Sequence, residues 1–411
     1  MPDFSIPLSG LDANSTALST IANNLANLNT VGYKDQNTLF KDLFYQTIGS
    51  SGSGDPIQTG AGAAVDTISS NFTPGSVETT GLDTDVAIGG DGFFVVQKGG
   101  ILSYTRAGDF SKADDGTLVT ADGAQVLGYP AVNGQISQMQ GLSSINVGSG
   151  YSSPPQATSS VQLTTNLDAN AAVNDAYPTT VSVYDSLGQS HVLTFQFTKT
   201  AAGAWDYDIT IPGSDVGSTN ASESLGTGKL SFDGNGNLTT PAADVTGISI
   251  PTFADGASPL SFTWNLRSGS GSLLTQVASP NITTATNQDG YKSGSLQSFA
   301  IGGDGIVEGT FSNGKSMALG QLVLANFPNV QGLVREGGNL YQQSLSSGTA
   351  AIGAPGTGGL GTLSGGAIEL SNVDIANEFS QLITAQRGFE ANAKTITAFD
   401  EIMQDTINLK R

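Results

Sequence analysis

Near the start of the chain, apolar residues recur at intervals that suit a helix. Leu11, Asn14, Leu18, Ile21, Leu25 and Leu28 are spaced 3, 4, 3, 4 and 3 residues apart and share one stripe, five of the six being apolar. Ser9 and Asp12 match the S-x-x-D form of a capping box, and Gly32 stands where a helix ends in a left-handed residue. The pattern predicts a helix over roughly residues 10 to 30. The C-terminus repeats the device. After a second S-x-x-D pair, Ser371 and Asp374, the positions Ile375, Phe379, Leu382, Gln386, Phe389, Ala393, Ile396, Asp400, Met403 and Ile407 alternate spacings of 4 and 3. Ile383, Phe399 and Ile402 widen that stripe. Two amphipathic helices of about 20 and 38 residues therefore each present an apolar seam with nothing local to cover it. The simplest solutions are that they pack on each other or on copies in neighbouring chains. Ordinary terminal helices capping a core give the same pattern. The N-terminal segment is rich in Ser, Thr and Asn, whose modest helix propensity leaves it dependent on packing partners for order.

Between these ends the period falls to two. Val86 to Val96 reads as two short strands around Gly89, Gly90, Asp91 and Gly92, and Leu118 to Tyr129 as a hairpin around Asp122 and Gly123. Similar pairs occur at Val181 to Phe197, at Leu230 to Leu238, and at Ile306 to Phe311 with Leu319 to Phe327. Strands at such short intervals predict sandwiches or barrels rather than a doubly wound sheet. The fold class expected is mainly β, with nested sandwich-like or barrel-like β domains inserted between N- and C-terminal helices. The Ser/Gly-rich stretch 49–62 reads as a flexible loop, and 148–160 and 279–290 read as crossings between domains. One β domain, about 146–282, is expected to be inserted into another made of 71–145 and 283–357.

Composition narrows the function classes. The 411 residues carry 15 Lys plus Arg against 35 Asp plus Glu, a net charge of −20, which repels phosphate backbones and anionic membrane surfaces. Nucleic acid is therefore not an expected partner. Residues 1–35 and 371–411 hold −4 of this charge, so the middle of the chain carries −16, mostly on the β domains. With 54 Gly and 15 Pro the chain is dense in turns. It has no cysteine, which excludes disulfides, Cys-ligated zinc and thiol catalysis. No apolar run approaches the ~18 residues of a membrane span, and the first residues lack the basic and apolar regions of a cleaved signal peptide. Membrane insertion and a Sec-type leader are not expected.

Candidate chemical motifs have weaker alternatives beside them. Gly356, Gly358 and Gly361 spell G-x-G-x-x-G, but Pro355 precedes them and Gly365 and Gly366 follow, so a loop fits better than a dinucleotide site. Asp233, Asn235 and Asn237 imitate the start of a calcium loop, yet Leu238 and Asp244 stand where Gly and Glu are needed, and a hairpin turn explains them better. The single histidine, His191, sits at the edge of a strand run and reads as a satisfied structural residue rather than a base. Among the many carboxylates nothing marks out a glycosidase-type pair. No catalytic constellation emerges, so neither an enzyme nor a cofactor or metal site is expected.

The residues themselves resemble a known family. The string Ala22-Asn23-Asn24-Leu25-Ala26-Asn27-Leu28-Asn29-Thr30-Val31-Gly32-Tyr33-Lys34 resembles the N-terminal signature of bacterial flagellar rod and hook subunits. Asp91-Gly92-Phe93-Phe94-Val95-Val96 and Tyr104-Thr105-Arg106-Ala107-Gly108-Asp109-Phe110 are similar to the first β domain of that family. Tyr184-Asp185-Ser186-Leu187-Gly188, Asp289-Gly290-Tyr291, and Ser312-Asn313-Gly314 followed by Ala325-Asn326-Phe327 resemble hook subunits in particular. Ser371-Asn372-Val373-Asp374 and Ala385-Gln386-Arg387-Gly388-Phe389 complete the C-terminal signature. One departure is that some hook subunits carry a further outer domain, for which this chain has no room.

The resemblance implies a terminal coiled coil, residues 1–32 and 371–411, lining a tube, with connecting segments 33–70 and 358–370 and the β domains outside. It implies an assembly seam of Leu11, Leu18, Ile21, Leu25, Leu28, Ile375, Phe379, Leu382, Phe389, Ile396, Met403 and Ile407. The implied function is a flexible curved tube that transmits torque. Implied partners are further copies of the chain, rod, hook-cap and hook–filament junction proteins, and the flagellar type III export apparatus. The location is extracellular, on the flagellum. A distal rod or junction protein, or a β-rich glycan hydrolase, are the alternatives.

Overall fold

The computed structural model describes residues 4–52, 55–148, 150–269 and 271–408. The outermost residues of the expected terminal domain, 1–3 and 409–411, and positions 53–54 and 149 of the expected loop and crossing lie outside them. The architecture is mostly β, framed by helix α1, Ser5–Ala26, and helix α2, Ile375–Asn408.

Both helix starts differ from the capping-box reading. Ser9 lies inside α1 and its hydroxyl donates to the Ile6 carbonyl at 2.7 Å, so Ser9 and Asp12 cap nothing. Pro7 suits this earlier start, because a proline in the first turn forfeits no intrahelical bond. The helix also stops at Ala26, short of residue 30. Asn27 Nδ2 then bonds back to the Asn23 carbonyl at 2.9 Å, offering the chain a turn in place of helix. Gly32 is left-handed as expected, φ +66°, but it closes that turn rather than the helix. A Cβ there would sit 2.5 Å from the Ala107 backbone nitrogen. At α2 the cap is Asp374, not Ser371. Asp374 Oδ1 accepts from Ala376 N at 2.8 Å and Asn377 N at 3.1 Å, placing a carboxylate at the positive end of the helix dipole.

The chain divides into two compact units. The first comprises Met1–Gly148, Ser298–Gly309 and Ser316–Arg411. Beside the helices, strand Gln36–Asp42 pairs antiparallel with Ala63–Ser70 through a bulge at Leu39/Phe40. The stretch expected as a flexible loop, 49–62, overlaps the hairpin Gln46–Ser50 with Pro56–Thr59, where Thr47, Ile48, Ile57 and Thr59 supply the β propensity. The core of this unit gathers Phe93, Val95, Tyr104, Leu127, Val323, Ala325, Phe327 and Tyr341 from strands far apart in sequence. Val86–Gly89 and Phe93–Lys98 are both strands, but they do not pair with each other. The first pairs with Thr362–Gly365 and the second with Ile101–Thr105. Gly356 to Gly361 forms a closed loop, Gly356 N bonding the Gly361 carbonyl at 2.9 Å, with no helix to receive a phosphate.

The second unit comprises Ser149–Gln297 and Thr310–Lys315. One sheet is an antiparallel meander, Ala176–Tyr184, Ser190–Ala201, Ala204–Pro212, Ser222–Phe232 and Leu238–Thr240. The other runs Val245–Ile250, Leu260–Asn265, Ser160–Asp168 and Leu274–Val277, with Ile282–Gln288 also on Ser160–Asp168. Alternating burial along Ser160–Asp168 and Ala204–Pro212 sends every second side chain into the core shared by the two sheets. Trp264 is fully buried there, with Phe195 and Tyr207 edge-on at 5.0 and 5.2 Å. The expected insert, 146–282, ends short of this unit. Ile282–Gln288 pairs antiparallel with Ser160–Asp168, and Asp289 Oδ1 accepts from the backbone nitrogens of Ser159 and Ser160. Asp233 caps its own hairpin turn, accepting from Asn235 N and Asn237 N.

Candidate assembly interface

The terminal helices pack antiparallel. Phe4 meets Phe399 edge-on at 5.9 Å, Gly10 faces Asn392, Asn14 faces Gly388, and Asn24 meets Glu378. At their centre Ala17, Ile21 and Ala385 are buried, with Leu18, Leu25 and Leu382 packed around them. The two glycines allow the close approach. A Cβ on Gly10 would lie 2.8 Å from Asn392 Nδ2, and one on Gly388 2.8 Å from Asn14 Oδ1. Each asparagine in turn bonds back along its own helix, Asn14 Nδ2 to the Gly10 carbonyl and Asn392 Nδ2 to the Gly388 carbonyl.

The seam residues divide into two sets. Ile21 is buried between the helices; Leu11, Leu18, Leu25, Leu28, Leu382, Phe389, Ile396 and Met403 are half-buried. Ile375, Phe379 and Ile407 are exposed. Phe379 is 51% exposed and Ile383 50%, and with Ile375 they form an i, i+4, i+8 apolar face that α1 does not cover. Strand Gln36–Asp42 and the loop after it add exposed Leu39, Phe40, Phe44 and Tyr45. A cavity of about 250 Å³ lies among α1, α2 and this strand, lined by Ala17, Ile21, Thr38, Phe40, Gln381 and Thr384 among others.

At the root of the helix pair lies a set of buried polar residues that hydrophobic spacing did not single out. Asn24 Nδ2 donates to Glu378 Oε1 at 3.1 Å and to the Gln36 carbonyl at 2.8 Å, while its Oδ1 accepts from Gln36 N and Tyr33 Oη. Lys34 Nζ donates to Glu369 Oε1 at 2.7 Å, and Arg106 Nε to Glu369 Oε2 at 3.0 Å, all three side chains being buried. Arg106 Nη1 also donates to the Gly90 and Gly92 carbonyls, and Nη2 to Glu369 Oε1 at 3.3 Å. Burial alone pushes the Glu369 carboxyl up, but Arg106 and Lys34 overcome it and hold the pKa below the ordinary range. Burial lowers the Lys34 amine, with Glu369 opposing. Among the described residues neither Glu378 nor Asp35 forms an ion pair of this kind, and burial raises both, with bonds from Asn71 and Asn372 and the Lys34 charge opposing at Asp35. Asn24, Lys34 and Arg106 all fall within the signature strings quoted from the sequence; Glu369 and Glu378 do not.

Among the described residues, one trio of metal-type side chains, Asp185, His191 and Asp255, brings its ligand atoms within 4.8 Å of one another. Both imidazole nitrogens already face carboxylates, Nε2 to Asp185 Oδ2 at 3.1 Å and Nδ1 to Asp215 Oδ2 at 3.0 Å.

Comparison with known proteins matches these parts in order. Residues 6–34 match the model of the flagella basal body rod protein, and 364–409 that of the flagellar basal body rod FlgEFG protein C-terminal region. Residues 87–160 match the flagellar hook protein FlgE/F/G D1 domain, and 152–291 the flagellar basal body protein FlaE D2 domain. The chain is 36% identical over 427 residues to the flagellar hook protein FlgE of Escherichia coli (strain K12), covering 99% of this chain and 100% of that one. It is 35% identical to the FlgE of Treponema pallidum (strain Nichols), with 98% of each covered. Identity to the FlgE of Borreliella burgdorferi is 32%, again with 98% of each covered.

Proposed function

The chain belongs to the flagellar hook protein family, and on that premise we propose that it is the structural subunit of a bacterial flagellar hook, polymerising into a flexible curved tube that passes motor torque to the filament. The family is a structural one and not enzymatic. The observation that carries the reading is end-to-end similarity to hook proteins, which includes the second β unit and not only the termini that rod proteins share.

In this reading residues 1–32 and 371–411 form the inner wall, with 33–70 and 358–370 as connecting segments. The second unit, Ser149–Gln297 with Thr310–Lys315, is the outer β domain in place of 146–282, and the remainder of 71–357 forms the first β domain. The uncovered face of Ile375, Phe379 and Ile383 is the surface offered to further copies, because a contiguous apolar face on a folded chain gains most by being buried. The acidic β domains supply hydrated surfaces that slide past one another as curvature travels round the tube. Rod, hook-cap and junction proteins cap the polymer's ends, and subunits leave by the flagellar type III route to an extracellular position. Electron microscopy of the purified, polymerised chain tests this. Curved hollow tubes, together with rescue of motility in a hook-deleted strain, are the expected result; straight rods or soluble protein under polymerising conditions would overturn it.

A further inference from the structure

We propose that the second β unit is locked by a proton: His191 is held as an imidazolium between Asp185 and Asp215, and its deprotonation releases the strandless loop 251–259. A neutral imidazole has one N–H and one lone pair, so it can donate to only one of two carboxylates and must turn its lone pair on the other. Here Nε2 faces Asp185 Oδ2 at 3.1 Å and Nδ1 faces Asp215 Oδ2 at 3.0 Å, an arrangement that, with both carboxylates ionised, only the doubly protonated ring satisfies. His191 and Asp185 are both buried, which makes an unpaired charge at either expensive and holds the two together.

The surroundings fix the carboxylates before the proton arrives. Asp185 Oδ1 is already used, accepting from Leu187 N at 2.8 Å and Gln189 N at 2.9 Å in the turn between Ala176–Tyr184 and Ser190–Ala201. Asp215 sits in the short turn Gly213–Val216, and its carbonyl accepts from Ala254 N at 2.8 Å. Phe253 lies on the imidazole with ring centres 4.5 Å apart, and Ser258 N donates to Ser186 Oγ at 3.0 Å. Asp255, the third carboxylate facing the cluster, is exposed and also accepts from Ala257 N. The ring therefore fastens three segments, 185–189, 213–216 and 253–258, beside the turn that leads into Ser190–Ala201. Burial alone would depress the imidazole, but the bonds to Asp185 and Asp215 prevail and raise it. A raised histidine contributes its full stabilisation below the ordinary value of about 6.5, and that contribution disappears as pH rises through the higher folded value.

The chain has a single histidine, so one imidazole signal reports the state directly. Nitrogen NMR of the full-length, unpolymerised, chelator-treated protein should show both ring nitrogens protonated at about pH 7, with a titration midpoint above that of free imidazole. Asp215→Asn should lower that midpoint. Hydrogen exchange at 253–258, corrected for intrinsic rates, should rise about tenfold between roughly pH 6 and pH 9, and His191→Gln should exchange fast throughout and lose that dependence. A neutral single tautomer at about pH 7 would overturn the proposal, as would a loop that tightens only when zinc is added and the nitrogens shift as ligands. The wild-type titration decides the matter even if a variant fails to fold.

Discussion

Asn24 and Glu378 stand 354 positions apart in sequence and meet through a hydrogen bond of 3.1 Å, with both side chains buried at the root of the helix pair. The bond fixes the register of α1 against α2, and Asn24 adds three further bonds to Gln36 and Tyr33. Asn24→Ala strands these groups without water to replace the amide, at an expected cost of about 1–3 kcal/mol. Hydrogen exchange on the unpolymerised chain should then quicken in the C-terminal half of α1 and the first turns of α2. Unchanged protection in both would mean that apolar packing alone sets the register.

Glu378 carries a pH dependence of opposite sense to most carboxylates. Burial raises its pKa, with Asp35 and Asp374 adding to the rise against the opposing Asn24 bond, so the fold prefers the protonated form. Stability is then greatest below the ordinary glutamate value of about 4.3 and declines as pH climbs through the raised folded value. Glu378→Gln, which keeps an acceptor for Asn24 and carries no charge, is expected to match the native chain in acid and to melt higher at neutral pH. Thermal unfolding at the two pH values checks it; a lower neutral-pH midpoint for the variant would contradict the sign.

The buried ionic cluster predicts the reverse acid response. Glu369 accepts from both Lys34 and Arg106, and these cations hold its carboxyl below the ordinary range against the pull of burial. Its contribution is complete above the unfolded value of about 4.3 and is lost as pH falls through the depressed folded one. Glu369→Gln leaves two buried cations without their counter-charge and should cost about 3–5 kcal/mol in the first unit. Both tryptophans, Trp205 and Trp264, lie in the second unit, so their fluorescence transition in urea should stay in place while exchange in the first unit accelerates. Movement of both transitions together would show that the loss is not confined to that unit.

What the sequence revealed about the helices follows from what spacing can detect. The stripe from Leu11 to Leu28 located α1, because large apolar side chains at a period near 3.5 leave few other readings. It found Ile21 but missed the rest of the closest approach by one residue: the other buried positions after Pro7 are Ala13, Ala17, Thr20 and Asn24, small or polar residues that score weakly on a hydrophobic count. They are small because α2 comes near, close enough that a Cβ on Gly10 or Gly388 would press on the Asn392 or Asn14 side chain. Lys34, Arg106 and Glu369 escaped as a cluster because the glutamate is 335 positions from its lysine, and no local pattern links them. Strand runs were legible through alternation, whereas Val86–Gly89 pairing with Thr362–Gly365 was not, since turn signals suggest neighbours in sequence and this partner comes from the far end of the chain.

The internal helix contact and the surface offered to other copies are separable by mutation. Ile21 is buried against Ala385 within one chain, and Leu25 is half-buried in the same cluster. Ile21→Asp or Leu25→Asp therefore removes intramolecular packing worth about 2–5 kcal/mol and puts a carboxylate into an apolar contact, so protection of both helices should be lost before any assembly begins. Phe379 is different, being 51% exposed, so Phe379→Asp should leave the isolated chain's melting within about 0.5 kcal/mol of the native one. If its ring is buried between copies, the same change forfeits about 1.5–3 kcal/mol at every repeat, enough to raise the critical concentration for polymerisation by roughly tenfold or more. Asp233→Asn, in a turn of the second unit that Asp233 itself caps, should not affect that concentration. Secretion must be scored apart from polymerisation of purified protein. Should Phe379→Asp polymerise at the native critical concentration while Ile21→Asp does not, the helix pair is needed only to fold the chain, and the contact between copies lies elsewhere.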